Sequence, residues 1–269
     1  MTPACKAARG LATGVAVRGA RALQPETEAV VAAMEVAPDS RRAGLMDNLV
    51  AALKSAEVWS RLDTLFVMAA HDAQAAGLNW VAPEGAGLTA VNSPDFQPDL
   101  GYQGNGTTSY LETGFVQTSW LKYKIADHHA GVFVVGGEGT GTAFGNSRNR
   151  LQPWTSGGQL LSRSNSTTSD QRPVTSGLGH SAMSRTEAAR YIVYKDGASL
   201  GAAEVANTTL AGHPLTLLGY GTAGAPASYA AWRLGAAHFG AGLSADQMAA
   251  IHSALNTYLR GVSAWPVAD

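Results

Sequence analysis

Between Gly136 and Ser181, Gly, Ser, Thr and Asn supply 26 of 46 residues. A helix cannot be built from such a stretch. Glycine costs about 1 kcal/mol per position relative to alanine, and short polar side chains compete for the backbone's hydrogen bonds. Nor is it a linker, because Phe144, Leu151, Trp154, Leu160 and Leu161 punctuate it. Short strands joined by polar loops remain. The same texture recurs in FQPDLGYQGNGTTSYLETGF, Phe96 to Phe115. Gln103-Gly104-Asn105-Gly106 bends easily there, since Gly and Asn accept positive φ, and Thr107 to Leu111 then reads as a strand.

Further strands are legible on both sides. Leu65 to Met68 is a short apolar run, and Val132 to Val135 is apolar throughout, like a central strand. SWLKYKI, Ser119 to Ile125, alternates in the manner of a half-buried strand. Ala189 to Tyr194 and Ala198 to Gly201 flank Asp196-Gly197, a strong two-residue hairpin signal. Pro214 to Gly219 and Ala230 to Phe239 complete the set.

Helices bracket this β region. Pro25 suits a first turn, Val30, Val31 and Met34 share a face, and Pro38 ends the helix. Asp39 or Ser40 caps a second helix in which Leu45, Leu49, Ala52 and Leu53 recur at helical spacing. Ala69 to Ala76 holds one or two helical turns, where His71-Asp72 pairs locally or caps. Near the end, Ser244 and Gln247 form a capping box, and Leu243 and Met248 suit a hydrophobic staple. Met248, Ile251, Leu255 and Leu259 mark one apolar face, and Gly261 suits a C′ stop. The expected organisation is an N-terminal arm over 1–24, a helical attachment region over 25–62, and a β domain with a C-terminal helix over 63–269.

Composition narrows the function. Only 14% of residues are charged, against roughly 25% in an ordinary soluble protein. Such a surface is polar by hydroxyl and amide, which suits secreted, virion or glycan-facing proteins. A net charge of −1 gives no electrostatic case for nucleic acid. A single cysteine, Cys5, excludes an internal disulfide framework and a cysteine-rich metal site. No apolar run is long enough to insert in a membrane. Gly10 to Val17 is too short, and too quickly followed by Arg18, for a signal-peptide core. The basic arm residues Lys6, Arg9, Arg18 and Arg21 are expected to serve assembly with other subunits.

GYQGNGTTSYLETGF resembles the opening strand motif of laminin-G-like, concanavalin A-like sandwiches. RYIVYKDGASLG and PLTLLGYG resemble the later hairpin of that superfamily and the strand after it. The resemblance implies a mainly β fold: an antiparallel β-sandwich (jelly roll) with N-terminal helices and a C-terminal helix. LDTLFVMAAHDAQAAGLNW, SRTEAARYIVYKDG and AAHFGAGLSADQMAAIHSALNTYLRGV are together similar to a family of phage and prophage virion-associated proteins. That resemblance implies a structural component of a tailed-phage or phage-derived particle, at the tail fibre, tail tip or head surface. Its expected setting is the virion, assembled in the host cytoplasm. The implied partners are other virion proteins, sister subunits in a homo-oligomer and host-surface glycan, with no nucleic acid, membrane insertion or cofactor. The alternatives are a polysaccharide-degrading hydrolase or lyase on the same fold, and a purely architectural decoration protein.

Catalytic chemistry finds little footing. A retaining glycosidase needs two carboxylates about 5–5.5 Å apart, and no E-x-D-x-x-E pattern is present. Glu112 and Glu138 each stand alone, and Asp95 and Asp99 sit in a Pro-rich loop. His128-His129 reads as a polar loop tip, since adjacent strand residues would diverge rather than share a metal. Gly136 to Gly141 lacks the lysine of a phosphate cradle and reads as a flexible hairpin tip. Asp127 and Glu138 are too few oxygen ligands for calcium. Ser181 lies in no nucleophile elbow. A chain without catalytic or metal residues is therefore expected. Sugar binding takes an aromatic platform with amide and guanidinium donors, and Arg148, Asn149, Arg150 and Trp154 supply those types.

Overall fold

A computed structural model describes residues 22–222 and 225–263. The assembly residues Lys6, Arg9, Arg18 and Arg21 lie outside the described residues. Two antiparallel sheets stack face to face. The first runs β13 (Ala198–Ala203), β12 (Tyr191–Lys195), β11 (Gly179–Arg185), β6 (His128–Gly137), β17 (Trp232–Gly240), β4 (Gly101–Gln103) and β3 (Asp95–Gln97). β1 (Leu62–Val67) pairs with the rest of the β17 edge. The second runs β10 (Asp170–Pro173), β9 (Gln159–Arg163), β8 (Arg150–Gln152), β7 (Phe144–Gly145), β14 (Thr216–Leu217), β5 (Tyr110–Glu112) and β2 (Thr89–Val91). A hairpin, β15 (Tyr220–Thr222) with β16 (Ala225–Ala227), projects beside it.

Helices form a third layer. α1 (Pro25–Ala32), α2 (Ser40–Ser55) and α4 (Ala245–Gly261) pack on the first sheet, while α3 (Ala73–Gly77) follows β1. The two faces of β6 divide two buried clusters. Ala130, Val132 and Val134 enter the core between the sheets with Phe66, Phe115, Phe144, Leu151, Leu217 and Phe239. Phe133 and Val135 point the other way, into Leu49, Leu53, Met248, Ile251 and Leu255 of the helices. The boundary at residue 62 therefore falls within one packed body, since α1 and α2 share a core with β1 and α4.

Most local readings hold. The Asp39 side chain caps α2 by accepting from the Arg42 N–H at 2.7 Å. Both halves of the Ser244–Gln247 capping box are formed. Asp196 and Gly197 both take positive φ, as a two-residue hairpin turn requires. Asp72 caps α3 through the Ala75 N–H and lies 3.1 Å from His71 Nε2.

Four differences have physical causes. The strand expected over Ser119 to Ile125 does not form. Asp63 accepts from the Lys122 and Tyr123 backbone N–H groups, so a carboxylate replaces the neighbouring strand. Trp120 and Tyr123 both turn onto Phe115, leaving Leu121 84% exposed. Gly261 lies inside the last turn of α4, where a Cβ would meet Leu45, and Ser263 takes the left-handed position beyond it. Pro214 to Gly219 yields only the two-residue β14, because Leu218 takes a positive φ and breaks the extended backbone. Finally, His128 and His129 begin β6 and are fully buried, not a loop tip.

His129 belongs to a layer of imidazoles beneath α4. His180 Nε2 lies 2.8 Å from His238 Nε2, and His252 of α4 faces the His180 ring at 5.6 Å between centroids. Gly131 has no side chain because one would strike the His238 ring. Burial pushes His180 and His238 well below the usual imidazole range, reinforced by their histidine neighbours and, for His180, by Lys195. It lowers His129 to about 4, with Arg61 adding a little, and lowers His252 too, against the pull of Asp196. The unfolded chain takes up these protons near pH 6.5, while the folded chain refuses them. Stability is therefore full above pH 6.5 and lost as pH falls towards about 4. The expected slope is about 1.4 kcal/mol per pH unit for each histidine held neutral. Urea melts at pH 7.5, 6, 5 and 4.5 check it, and His238→Phe should flatten the loss.

Candidate ligand face

The sandwich has two outer faces. Helices cover that of the first sheet, so the outer face of the second is the one open to a ligand. Alternation fixes what it displays. Leu111, Leu151, Leu160 and Leu217 point into the core, so their neighbours in sequence point out. Pairing then sets Thr89, Glu112, Thr216, Gly145, Arg150 and Arg163 in one row across the sheet.

Gly145 gives this row its shape. A Cβ there would stand 2.9 Å from the ring of Tyr220, so the missing side chain lets that ring lie against the sheet. The guanidinium carbons of Arg150 and Arg163 each sit 5.0 Å from the centroid of the same ring. Arg150 Nε donates to Thr142 Oγ1 at 3.0 Å, and its Nη2 donates to Gln152 Oε1 and Ser228 Oγ. Burial, then the neighbouring Arg163, lowers the Arg150 pKa. Across the sheet, Tyr110 packs at a tilt against Tyr229 with centroids 6.3 Å apart and donates to Glu112. Tyr110 thus belongs to the open face, whereas Phe115 is fully buried.

Beyond β8, at the end of the sandwich where β6 ends and β17 begins, lies a cleft of about 420 Å³. Trp154, Trp232, Glu138, Ser176 and Leu178 line it. Gln152 links the two parts, bonded by Arg150 and donating to the carbonyls of Thr140 and Trp154. The Gly136 to Gly141 segment forms one wall. It is anchored by the Trp232 indole, which donates to Gly141 O at 3.0 Å. Among the described residues no cluster of His, Cys, Asp or Glu could hold a metal ion.

The four sugar-binding candidates therefore separate. Arg150 and Trp154 belong to the open face and its cleft. Arg148 is half-buried, and among the described residues its side chain makes no hydrogen bond. Asn149 is fully buried and points the other way. Its amide donates to Asn165 Oδ1 at 2.8 Å, and its Oδ1 accepts from the Tyr123 hydroxyl and the Asn165 N–H. Gln117 and Asn146 extend this interior network. Tyr220, Arg163 and Tyr229 were not singled out from sequence. The Arg163–Arg150 pairing depends on strand register, and Tyr220 reaches the row from a separate hairpin.

No family model matches the chain, and no curated protein does. Solved structures are similar to it. A mutant of the Trypanosoma rangeli sialidase displaying trans-sialidase activity superposes with TM-score 0.51 at 14% identity, over 80% of this chain and 39% of that one. The binding domain of botulinum neurotoxin serotype D gives 0.49 at 7% identity, over 72% and 52%. Domain 4 of an extracellular arabinanase from Geobacillus stearothermophilus, in complex with arabinotriose, gives 0.42 at 15% identity, over 71% and 98%. The chain spans less than half the length of the sialidase it matches. The likeness is one of fold, an antiparallel β-sandwich of the jelly-roll kind.

The division of the Asn146 to Arg150 run is testable. Asn149→Ala leaves buried amides unpaired and should lower stability by about 1–3 kcal/mol. Arg148→Ala should stay within about 0.5 kcal/mol of the parent. Equilibrium urea unfolding separates the two.

Proposed function

We propose that this protein is a non-enzymatic glycan-binding β-sandwich of a tailed-phage or phage-derived particle, and that the outer face of the second sheet holds the sugar. The observation that carries the binding half is the asymmetry of the faces. One is closed by three helices, and the other presents Tyr220, Tyr110, Arg150 and Gln152 leading into the Trp154 cleft. Sugars suit such a surface, because aromatic rings cover their C–H faces while amide and guanidinium groups take their hydroxyls. The fold is similar to that of a sialidase, but folds of this kind host many functions, so the site must carry the reading.

The non-enzymatic half is supported by charge placement. In the outward row Glu112 is the single carboxylate, flanked by Thr89 and Thr216, whereas glycosidases set two carboxylates across the scissile bond. The particle setting rests on the sequence resemblance. It suits a chain whose helical side is built into the body and whose basic arm precedes it.

A glycan array probed with the full chain tests the binding half. Retention of at least one oligosaccharide class is expected, with Trp154→Ala weakening it more than tenfold and Trp154→Phe much less. A folded chain that retains no glycan would refute the reading. Reducing-sugar release from a retained glycan would instead establish an enzyme. Mass spectrometry of purified particles tests the setting, with the chain expected at stoichiometric abundance.

A further inference from the structure

Arg150 and Arg163 are cross-strand neighbours, facing the same way, on the same aromatic ring. Among the described residues, neither has a carboxylate within ion-pair distance. Four other arginines are compensated: Arg42 by Asp99, Arg172 by Asp170, Arg190 by Glu187 and Arg233 by Asp95. The chain does not lack acids, with 20 against 19 basic residues. They are simply placed elsewhere, and like charges directly opposite on a sheet are destabilising.

The donors are also underused. Arg163 Nε is buried with no acceptor among the described residues. Its Nη2 reaches only Asn146 O, at a long 3.4 Å, and neither arginine's Nη1 has an acceptor there. A buried guanidinium nitrogen without a partner is costly. Arg185 shows how the same fold satisfies an arginine that has only a structural task. It too has no carboxylate, yet its three nitrogens reach the carbonyls of Ser164, Glu187, Ala188, Arg190 and Val205 and the Ser164 hydroxyl. Arg150 and Arg163 are held in place by Tyr220, Thr142 and Gln152, with their remaining donors unspent.

We propose that Arg150 and Arg163, stacked on Tyr220, form an anion-recognising subsite, so that the ligand of this face is an acidic oligosaccharide whose carboxylate or sulfate seats against both guanidiniums. An anion there accepts the unspent N–H groups in charge-assisted bonds, and the fork geometry of arginine suits it. It also relieves the repulsion between the two cations. The neighbouring Gln152 and Tyr220 then meet the hydroxyls and ring of the same sugar residue. This inference rests on the glycan-face reading above and adds the class of sugar.

The test is an array carrying glucuronate, galacturonate, sialylated and sulfated oligosaccharides beside neutral or carboxyl-reduced counterparts, probed with the full chain. Acidic members should be retained at least tenfold more strongly, with the preference shrinking between 50 and 500 mM KCl. Arg163→Gln should abolish the preference while leaving weak neutral binding, and Arg163→Lys should restore part of it. Circular dichroism and the melting temperature identify a variant that has merely unfolded. Arg150→Gln is then the second variant, expected to show the same loss. Neutral glycans bound as strongly as acidic ones would overturn this inference and leave the glycan face standing. No glycan bound at all would overturn both. Inorganic sulfate competing as well as the acidic oligosaccharide, at equal concentration, would reduce the pair to a simple anion site and overturn the assignment to a sugar.

Discussion

The first sheet must be buried on both faces. β17 is buried at every one of its nine positions and β6 at eight of ten. Neither alternates between apolar and charged residues, so neither tolerates water on one side. Two layers are therefore needed to cover one sheet. The second sheet supplies the first cover and the helices supply the other. Phe133 and Val135 need α2 and α4 as much as Val132 and Val134 need Phe144 and Leu217. Once those surfaces are committed, the outer face of the second sheet is what the architecture leaves for a ligand. Its short strands and small residues suit that position, with Gly145 leaving room for the Tyr220 ring to lie on them.

Local chemistry was readable wherever it was decided by neighbours in sequence. The Ser244–Gln247 box, the Asp39 cap and the Asp196-Gly197 turn each involve residues within three positions of one another, and all are formed. The β-sandwich resemblance likewise rested on contiguous motifs. Readings failed where a distant group intervened. The alternation of Ser119 to Ile125 is real, but Asp63, about 60 residues earlier, captures its backbone. His128-His129 looked polar because histidine usually is. Three imidazoles pack beneath α4 and its His252 only because β6, β11 and β17 are adjacent and α4 crosses them. No local signal carries that adjacency.

The Asn146-Ser147-Arg148-Asn149-Arg150 segment shows how far composition reaches in locating a site. It holds sugar-binding residue types, but a strand sends successive residues to opposite faces. Asn149 turns inward and Arg150 outward. The inward side is as polar as the outward one. Gln117, Tyr123, Asn146, Asn149 and Asn165 are all at most 1% exposed. Their hydrogen bonds close on one another, which is what allows such groups in an interior at all.

That interior network bears on the face above it. Asn146 Oδ1 accepts from the N–H groups of Arg148 and Asn149, fixing the turn that leads into β8. The Asn146 carbonyl is the acceptor of Arg163, across the strand pair. Asn149 O and the Tyr220 ring both crowd the Cβ position of Gly145. A satisfied network below thus holds rigid the backbone that spaces two guanidiniums and a ring above. Rigidity matters there, because bringing two like charges together is tolerable only on a support that cannot relax apart. Burial lowers the Arg150 pKa, with Arg163 adding to it. An incoming anion would meet the two charges already in position, without the cost of gathering them.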